Sequence, residues 1–342
     1  MRRAVVDLAS SRPVWRIPDE CVDEIRRAFG EGWEVVVVRS FAESDGDGAH
    51  PSAEAVAASR GAEVYLGWGI PRPVAEAASG TLRWAHSAAA GVGASLTEPL
   101  LESGAMLTNS RGVHAEPMAD WAVAAIGYCV RGFHVAQDAQ RGARWAKDLY
   151  TDGGVVLKEY ADTRIGIVGL GGIGQAIARR CVALGMRVRA IRRRPERRKP
   201  AGVEWVAGPA SLTELAAESD VLVIAAPHTR STDGLVNDRG ISSLPAGAFI
   251  INLSRGVLLD EVALLVHLDS GHLGGAVLDV FHREPLPADH PLWCHPRVLI
   301  TPHVSAVSER FWEREIELIV ENIDRYLSSR RLKNLVDSKA EY

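Results

Sequence analysis

The sequence predicts an α/β protein built from two doubly wound parallel sheets. Two series of short apolar segments, over residues 1–110 and 164–301, alternate with segments of helix length, as expected for βα units. Between the series, Glu116 to Arg131 carries apolar residues at helical spacing and begins a long connecting helix. At 342 residues the chain is long for a single core and is comfortable as two domains.

The first series predicts a small parallel sheet. Its strands are expected at Ala4 to Leu8, Trp33 to Val38, Glu63 to Trp68, Leu82 to His86 and Ala105 to Thr108, with helices near residues 18–29, 52–59 and 71–78 between them. The segment Ser87 to Gly93 follows the fourth strand and consists of small residues, so its backbone amides are accessible to an anion. Taken alone, this segment is better interpreted as a tight turn without a ligand.

The second series predicts a larger parallel sheet that binds its ligand at the carboxyl edge of the strands. Its strands are expected at residues 164–168, 187–191, 203–206, 220–225, 248–252, 275–279 and 298–301, and its helices include residues 173–184 and 260–270. A closing helix, from Ser308 to about Leu327, is apolar along one face. Because it follows the last strand of the second sheet, we expect it to cross back onto the first domain.

A glycine-rich turn joins the first strand of the second series to its first helix. Gly169, Gly171 and Gly174 form the pattern G-x-G-x-x-G directly after a buried strand, and Gly185 is placed to end the helix. In a dinucleotide site the first glycine permits the tight turn, the second lets the backbone approach the pyrophosphate, and the third lets helix and strand pack closely. The strand and helix that flank the motif favour a dinucleotide site over a structural turn.

The residue after the second strand of this series indicates NADP(H). An enzyme that prefers NAD usually has Asp or Glu about twenty residues after the glycines, whereas this chain has Arg192. Further cations follow it: Arg193, Arg194, Arg197, Arg198 and Lys199. The alternative is a solvated basic loop or a nucleic-acid patch. The position at the strand end favours binding of a 2′-phosphate.

The composition favours a cytoplasmic protein with neither nucleic acid nor membrane as partner. The net charge of −4 gives no reason to expect an anionic partner, and we identify no export signal or transmembrane run. The cysteines are far apart in the sequence and form no C-x-x-C pair, which suits a reducing compartment. They are Cys21, Cys129, Cys181 and Cys294.

Two segments resemble metal sites without matching them, so we expect no metal. The loop Glu43 to Gly48 mimics a calcium loop but lacks the third acidic ligand and the bidentate Glu at position twelve, which favours a solvated surface loop. The second group matches no zinc spacing. It consists of His282, His290, Cys294 and His295.

Three polar segments lie at or just beyond the strand ends of the second series. They run from Asn252 to Gly256, from Leu278 to Leu286 and from Thr301 to His303. In a doubly wound sheet such positions converge beside the cofactor. Together they offer a guanidinium, a carboxylate and an imidazole. A guanidinium stabilises negative charge that develops on a carbonyl oxygen, an imidazolium donates the proton, and a neighbouring carboxylate favours the charged imidazole.

In these motifs the chain resembles the D-isomer-specific 2-hydroxyacid dehydrogenases, and within them the glyoxylate/hydroxypyruvate reductase-like branch. The match covers about residues 80 to 310. Its further motifs are Leu82 to Trp84, Ala90 to Val92 and Thr108 to Val113. The resemblance implies a Rossmann dinucleotide-binding domain, residues 116–307, inserted into a flavodoxin-like substrate domain, residues 1–115 and 308–342. It also implies a homodimer, with Trp121 to about Arg144 and the segment to Lys158 as the dimer arm.

The implied reaction is reduction of a small 2-keto acid to the D-2-hydroxy acid, with NADP preferred as cofactor and NAD possible. By the resemblance Arg255 would hold the substrate carboxylate and carbonyl, His303 would donate the proton, and Glu284 would pair with His303. The implied cofactor-binding residues are Gly169, Gly171, Gly172, Ile173, Gly174, Arg192, Arg193, Arg194, Pro227, Leu253, Ser254 and Asp279. The implied substrate-binding residues are Ala89, Ala90, Gly91, Arg255 and His303.

Three positions depart from the usual family pattern. They are Gly93, Gly172 and His282, and they bear on substrate fit and cofactor detail and leave the three catalytic positions intact. The alternative function is an NAD(P)H-sensing regulatory protein without significant turnover, because the C-terminal-binding-protein corepressors resemble the same family.

Overall fold

The structure is a computed structural model that describes residues 1–41 and 50–337. The interpretation of Glu43 to Gly48 as a solvated loop lies outside the described residues. The strands are β1 (Arg2–Asp7), β2 (Trp33–Val37), β3 (Val64–Gly67), β4 (Trp84–Ser87), β5 (Met106–Asn109), β6 (Arg164–Val168), β7 (Arg187–Ile191), β8 (Val203–Ala207), β9 (Val221–Ile224), β10 (Ala248–Asn252), β11 (Leu273–Leu278) and β12 (Val298–Ile300). The helices are α1 (Asp19–Phe29), α2 (Ala53–Ser59), α3 (Arg72–Ala77), α4 (Glu98–Glu102), α5 (Ala115–Val130), α6 (Phe133–Arg141), α7 (Lys147–Thr151), α8 (Gly172–Ala183), α9 (Leu212–Ala217), α10 (Asp238–Ser242), α11 (Glu261–Asp269) and α12 (Phe311–Leu327).

The chain divides into two compact units. The first unit contains Met1–His114 and Val307–Tyr342, and the second contains Ala115–Ala306. Among the described residues, no helix combines the length and the apolar character that crossing a membrane requires.

The first unit has the strand order β2-β1-β3-β4-β5, and every pair of neighbours is parallel. This is the flavodoxin-like order. β3 and β4 are buried along their whole length because helices cover both faces of a parallel sheet. The closing helix α12 belongs to this unit, where Phe311, Ile319 and Ile323 share a core with Val22 and Ile25 of α1.

The second unit has the strand order β12-β11-β10-β9-β6-β7-β8, again with parallel neighbours. From β6 the chain first moves outward through β7 and β8 and then returns to β9 on the other side. This is the Rossmann order, and its reversal point lies between β6 and β9, where such sheets bind ligands at their carboxyl ends. The prediction of two doubly wound domains, one Rossmann-like and inserted into a flavodoxin-like one, is confirmed.

Candidate active site

The turn after β6 has the shape that a dinucleotide requires. Gly169 has φ +101°, and a Cβ there would lie 2.6 Å from the backbone of Ala226. A Cβ on Gly174 would overlap the carbonyl oxygen of Gly169. A Cβ on Gly171, in contrast, would meet no described atom within 4 Å. The first and third glycines are therefore required by the fold, whereas the second leaves open space that a side chain would fill.

That open space faces the start of a helix. α8 begins at Gly172, and the first amides of a helix have no acceptor within it. The amides of Gly172, Ile173 and Gly174 are therefore arranged so that they could bind an anion, which the helix dipole would favour. The turn fits the pyrophosphate of a dinucleotide.

The arginines of the basic loop after β7 differ in their surroundings. The Arg192 guanidinium donates to the carbonyl oxygen of Arg197, and to that of Arg198 over 3.2 Å, so it orders the loop that it belongs to. Its Nε is buried and has no hydrogen-bond partner in residues 1–41 and 50–337. Arg193 and Arg194 are exposed. Of the three predicted cofactor cations, these two have accessible side chains.

Arg255 lies on a turn that is held against the segment carrying Glu284. A Cβ on Gly256 would overlap the backbone of Phe281, so only glycine permits this approach. Asn252 fixes the turn, because its Nδ2 donates to the carbonyl oxygen of Arg255 over 3.0 Å. The Arg255 guanidinium donates to the carbonyl oxygen of Ser254 over 2.6 Å.

His303 and Glu284 form the central pair of the site. His303 Nδ1 lies 2.7 Å from Glu284 Oε2. The side chains are 42% and 35% exposed, so both reach solvent. His303 has φ +54°, a left-handed conformation that is uncommon outside glycine and occurs at functional sites.

The surroundings of Glu284 keep it ionised. Burial alone would raise its pKa, but the hydrogen bonds from His303 and from the backbone N–H of Phe281 outweigh this effect, and the pKa is lowered. The charge of Arg255 lowers the pKa of Glu284 further. The structure thus pairs His303 with Glu284 and places Arg255 on the turn that packs against the Glu284 segment.

The conformation of the His303 loop is fixed by Asp279, which is fully buried at the end of β11. Its Oδ1 accepts from the Thr301 hydroxyl over 2.5 Å and from the Val304 N–H over 2.9 Å, and its Oδ2 accepts from the Ser305 N–H over 2.9 Å. The carbonyl oxygen of Asp279 accepts the His303 N–H over 2.8 Å. We predicted Asp279 as a cofactor residue, and its carboxylate is directed to the loop that carries His303.

A family model describes the second unit. The model for the NAD binding domain of D-isomer specific 2-hydroxyacid dehydrogenases matches residues 123–305, which is more than half of the 342 residues. The chain belongs to the D-isomer-specific 2-hydroxyacid dehydrogenase family. It is therefore an NAD(P)-dependent oxidoreductase, as the motifs predicted.

Solved structures of this family resemble the whole chain. A D-isomer specific 2-hydroxyacid dehydrogenase from Klebsiella pneumoniae 342 is 30% identical, with TM-score 0.74, and the match covers 99% of this chain and 98% of that one. Another from Xanthobacter autotrophicus Py2, in complex with NADPH and MES, is 28% identical, with TM-score 0.82 and coverage of 100% and 99%. An NADPH-dependent glyoxylate/hydroxypyruvate reductase from Sinorhizobium meliloti, in complex with NADP and sulfate, is 27% identical, with TM-score 0.78 and full coverage of both chains, 100% and 100%.

The remaining predicted site residues of this dehydrogenase differ in exposure and in the unit that carries them. Pro227 is exposed just beyond β9, at the reversal point of the sheet. Leu253 and Ser254 are only 1% and 8% exposed, and the Leu253 side chain packs in the core. Ala89, Ala90 and Gly91 are half-buried in the first unit, beyond β4.

Sequence reasoning missed the residues that hold the site in place. Asn252 and Thr301 do so with their side chains, and Phe281 does so with its backbone N–H. Each lies two or three residues before a predicted catalytic residue: Asn252 before Arg255, Phe281 before Glu284 and Thr301 before His303. Their position at strand ends was the signal that could have identified them.

Proposed function

We propose that this dehydrogenase reduces a small 2-keto acid of the glyoxylate/hydroxypyruvate type to the D-2-hydroxy acid, with NADPH as the preferred cofactor. The observation that carries the proposal is the contact of His303 Nδ1 with Glu284 Oε2, 2.7 Å, within reach of the charge of Arg255. The same unit carries the glycine turn that fits a dinucleotide.

The three side chains of this trio have different roles in the reaction. When bound, the reduced nicotinamide supplies a hydride at C4. Arg255 binds the substrate carboxylate and stabilises the negative charge that develops on the carbonyl oxygen. His303 donates the proton from Nε2, because Nδ1 is engaged by Glu284. Glu284 favours the charged imidazole and holds the ring in orientation.

NADPH preference is supported by the basic loop and by two relatives. Arg193 and Arg194 are exposed where a 2′-phosphate would lie, and Arg192 orders the loop that presents them. The Xanthobacter and Sinorhizobium proteins carry NADPH and NADP respectively. NAD remains a possible second cofactor.

Beyond the three catalytic residues, we assign substrate binding to the segment from Ala88 to Gly91, called the substrate loop below. The amides of Ala89, Ala90 and Gly91 would bind the substrate carboxylate. Asn109 supports the loop, because its Nδ2 donates to the carbonyl oxygen of Ala90 over 2.7 Å.

A homodimer in the cytoplasm completes the proposal. The segment from α5 to residue 158 exposes several large apolar side chains, as a dimer arm does. They are Phe133, Trp145 and Val156, which are 56%, 92% and 79% exposed. Light scattering after gel filtration measures the assembly directly.

All four cysteines are free thiols, which suits a reducing compartment.

A panel of 2-keto acids assayed with both reduced cofactors tests the function. Glyoxylate, hydroxypyruvate, pyruvate and bulkier 2-keto acids are each mixed with NADPH or NADH, and cofactor oxidation is followed by absorbance. We expect turnover of the smallest acids, with higher kcat/KM for NADPH. Binding of NADPH without oxidation by any acid would instead favour the cofactor-sensing alternative.

The same assay tests the proton donor. His303→Ala should reduce kcat by about 100-fold, the usual contribution of a general acid, while NADPH binding is nearly unchanged. A variant that keeps the full rate removes His303 from the mechanism.

A further inference from the structure

A fully buried polar cluster lies between β4, β5 and α12 of the first unit. His86 on β4 and Glu315 on α12 are both 0% exposed, and His86 Nε2 lies 2.8 Å from Glu315 Oε1. Ser110, also 0% exposed, donates its hydroxyl to the same carboxylate oxygen over 2.8 Å. Thr108 Oγ1 lies 2.9 Å from His86 Nδ1. The proposed catalytic trio does not include this cluster.

Stability alone does not explain Glu315. Its Oε2 is buried and has no hydrogen-bond partner in the part of the chain that the structure describes. A buried carboxylate with one unsatisfied oxygen is unfavourable for folding, and replacing such groups by uncharged side chains is often neutral or stabilising. Unsatisfied buried groups in folded proteins therefore call for another explanation.

Ser110 connects this carboxylate to the substrate loop. Its backbone N–H donates to the carbonyl oxygen of Ala89 over 3.2 Å. Its hydroxyl lies 3.0 Å from the carbonyl oxygen of Ser87 and 2.8 Å from Glu315 Oε1. The carboxylate therefore holds the Ser110 side chain, and the same residue holds the loop through its backbone N–H.

We infer that Glu315 is a positioning residue for the substrate loop and acts through Ser110, an inference that rests on the proposed role of that loop. The carboxylate on α12 fixes the Ser110 side chain, and the Ser110 backbone fixes Ala89. The effect of Glu315 is on where the loop amides point and therefore on substrate binding. Hydride transfer and cofactor binding do not depend on it directly.

Hydrogen exchange in the protein without ligands tests the positioning step. Glu315→Gln is compared with Glu317→Gln, which makes the same charge change on the exposed side of α12. We expect amide exchange across residues 87–93 to rise about tenfold in Glu315→Gln, corresponding to one weakened charge-assisted hydrogen bond, with Tm unchanged or higher. Glu317→Gln should match the wild type. A lower Tm with unchanged loop exchange would mean that Glu315 is only structural.

Ser110→Ala is the second variant, since it removes the connecting hydroxyl and leaves the contact between His86 and Glu315. It should raise loop exchange in the same way. If Glu315→Gln does not fold, the Ser110→Ala result decides, and unchanged loop exchange in this variant rejects the inference.

Kinetics separate this inference from the proposed function. Glu315→Gln should raise KM for the 2-keto acid about tenfold, with kcat and NADPH affinity nearly unchanged. Ala90→Asp places a like charge beside the substrate carboxylate and should raise KM more strongly. If only Ala90→Asp changes KM, the loop binds substrate but Glu315 does not position it. If Ala90→Asp has no effect, the substrate role of the loop is wrong, and with it the inference.

Discussion

His303 and Glu284 share a hydrogen bond of 2.7 Å, and a second hydrogen bond holds the carboxylate from its other side. Glu284 Oε1 accepts the backbone N–H of Phe281 over 2.9 Å, while Oε2 faces His303 Nδ1. The left-handed backbone of His303, with φ +54°, directs the ring towards this carboxylate. Ring orientation and the charge that favours the imidazolium therefore come from one residue.

Glu284→Gln should change the pH dependence of reduction. The lowered pKa of Glu284 means that the carboxylate is ionised at neutral pH and favours the protonated imidazole that reduction consumes. In the wild type, kcat should fall at acidic pH as Glu284 becomes protonated, and in Glu284→Gln this acid limb should be absent and kcat at neutral pH lower. Asp289→Asn, which changes an exposed residue in the same loop after β11, is the control and should leave the pH dependence of kcat unchanged. Superimposable profiles for Glu284→Gln and wild type would contradict the role of Glu284.

Asp279→Asn should disturb the His303 loop. Both carboxylate oxygens accept hydrogen bonds from this loop, so an amide nitrogen at either position would face a donor. We expect unfolding free energy to fall by about 2 kcal/mol and kcat to fall by at least about tenfold, because a buried hydrogen-bonded charge is lost. Thr301→Val removes one donor and keeps the carboxylate, so denaturant unfolding and kcat should show a smaller loss. Wild-type kcat in Asp279→Asn would show that the loop needs no such anchor.

Gly171→Ala and Gly174→Ala should separate cofactor binding from folding. A Cβ on Gly171 would enter open space, so Gly171→Ala should keep the Tm of the ligand-free protein and raise the Kd for NADPH at least about tenfold, as the pyrophosphate is displaced. A Cβ on Gly174 would overlap the backbone, so Gly174→Ala should lower the Tm. Thermal unfolding and fluorescence titration measure both. Unchanged NADPH affinity in Gly171→Ala would place the pyrophosphate elsewhere.

The longer elements of the fold could be predicted from the sequence because each has one strong periodic signal. β6, β7 and β10 have the bounds predicted for them, and Gly185 has φ +84° at the end of α8, as expected for a helix-ending glycine. Short helices such as α9 and α10 were not predicted. With six and five residues, they present few turns for a periodic pattern, and tertiary packing stabilises them, although the equally short α3 was predicted within residues 71–78.

The same distinction applies to the candidate site: positions at strand ends can be predicted, whereas contacts between residues far apart in the sequence cannot. Arg255 and His303 could be proposed as catalytic because catalytic side chains lie at strand ends in this class of sheet. The hydrogen bond from Ser110 to Glu315 could not be identified, because it joins residues 205 positions apart. Spacing within one element carries no signal for such a contact.

Cys294 should be the first thiol to react in the folded protein. Burial raises the pKa of Cys21 to about 11, with Glu24 and Glu20 adding to the effect, and burial raises the pKa of Cys181 to about 12. Cys129 is also buried and its pKa is raised further, whereas Cys294 is exposed. At pH 8 the buried thiols carry almost no thiolate, so iodoacetamide followed by peptide mass analysis should find the label on Cys294. Cys294→Ser is the control, and rapid labelling of Cys181 would contradict the described burial.

Arg193→Ala and Arg194→Ala should each weaken NADPH selectively. Both guanidiniums are exposed on the loop after β7, and a contact between such a cation and a phosphate in solvent is worth about 1–2 kcal/mol, so KM for NADPH should rise about tenfold. KM for NADH should stay within about twofold, because NADH has no 2′-phosphate. Arg239→Ala, which removes an exposed arginine from α10, controls for the loss of charge and should leave both values unchanged. Steady-state kinetics with each cofactor decides, and equal losses for NADPH and NADH would show that these arginines support the loop and do not select the phosphate.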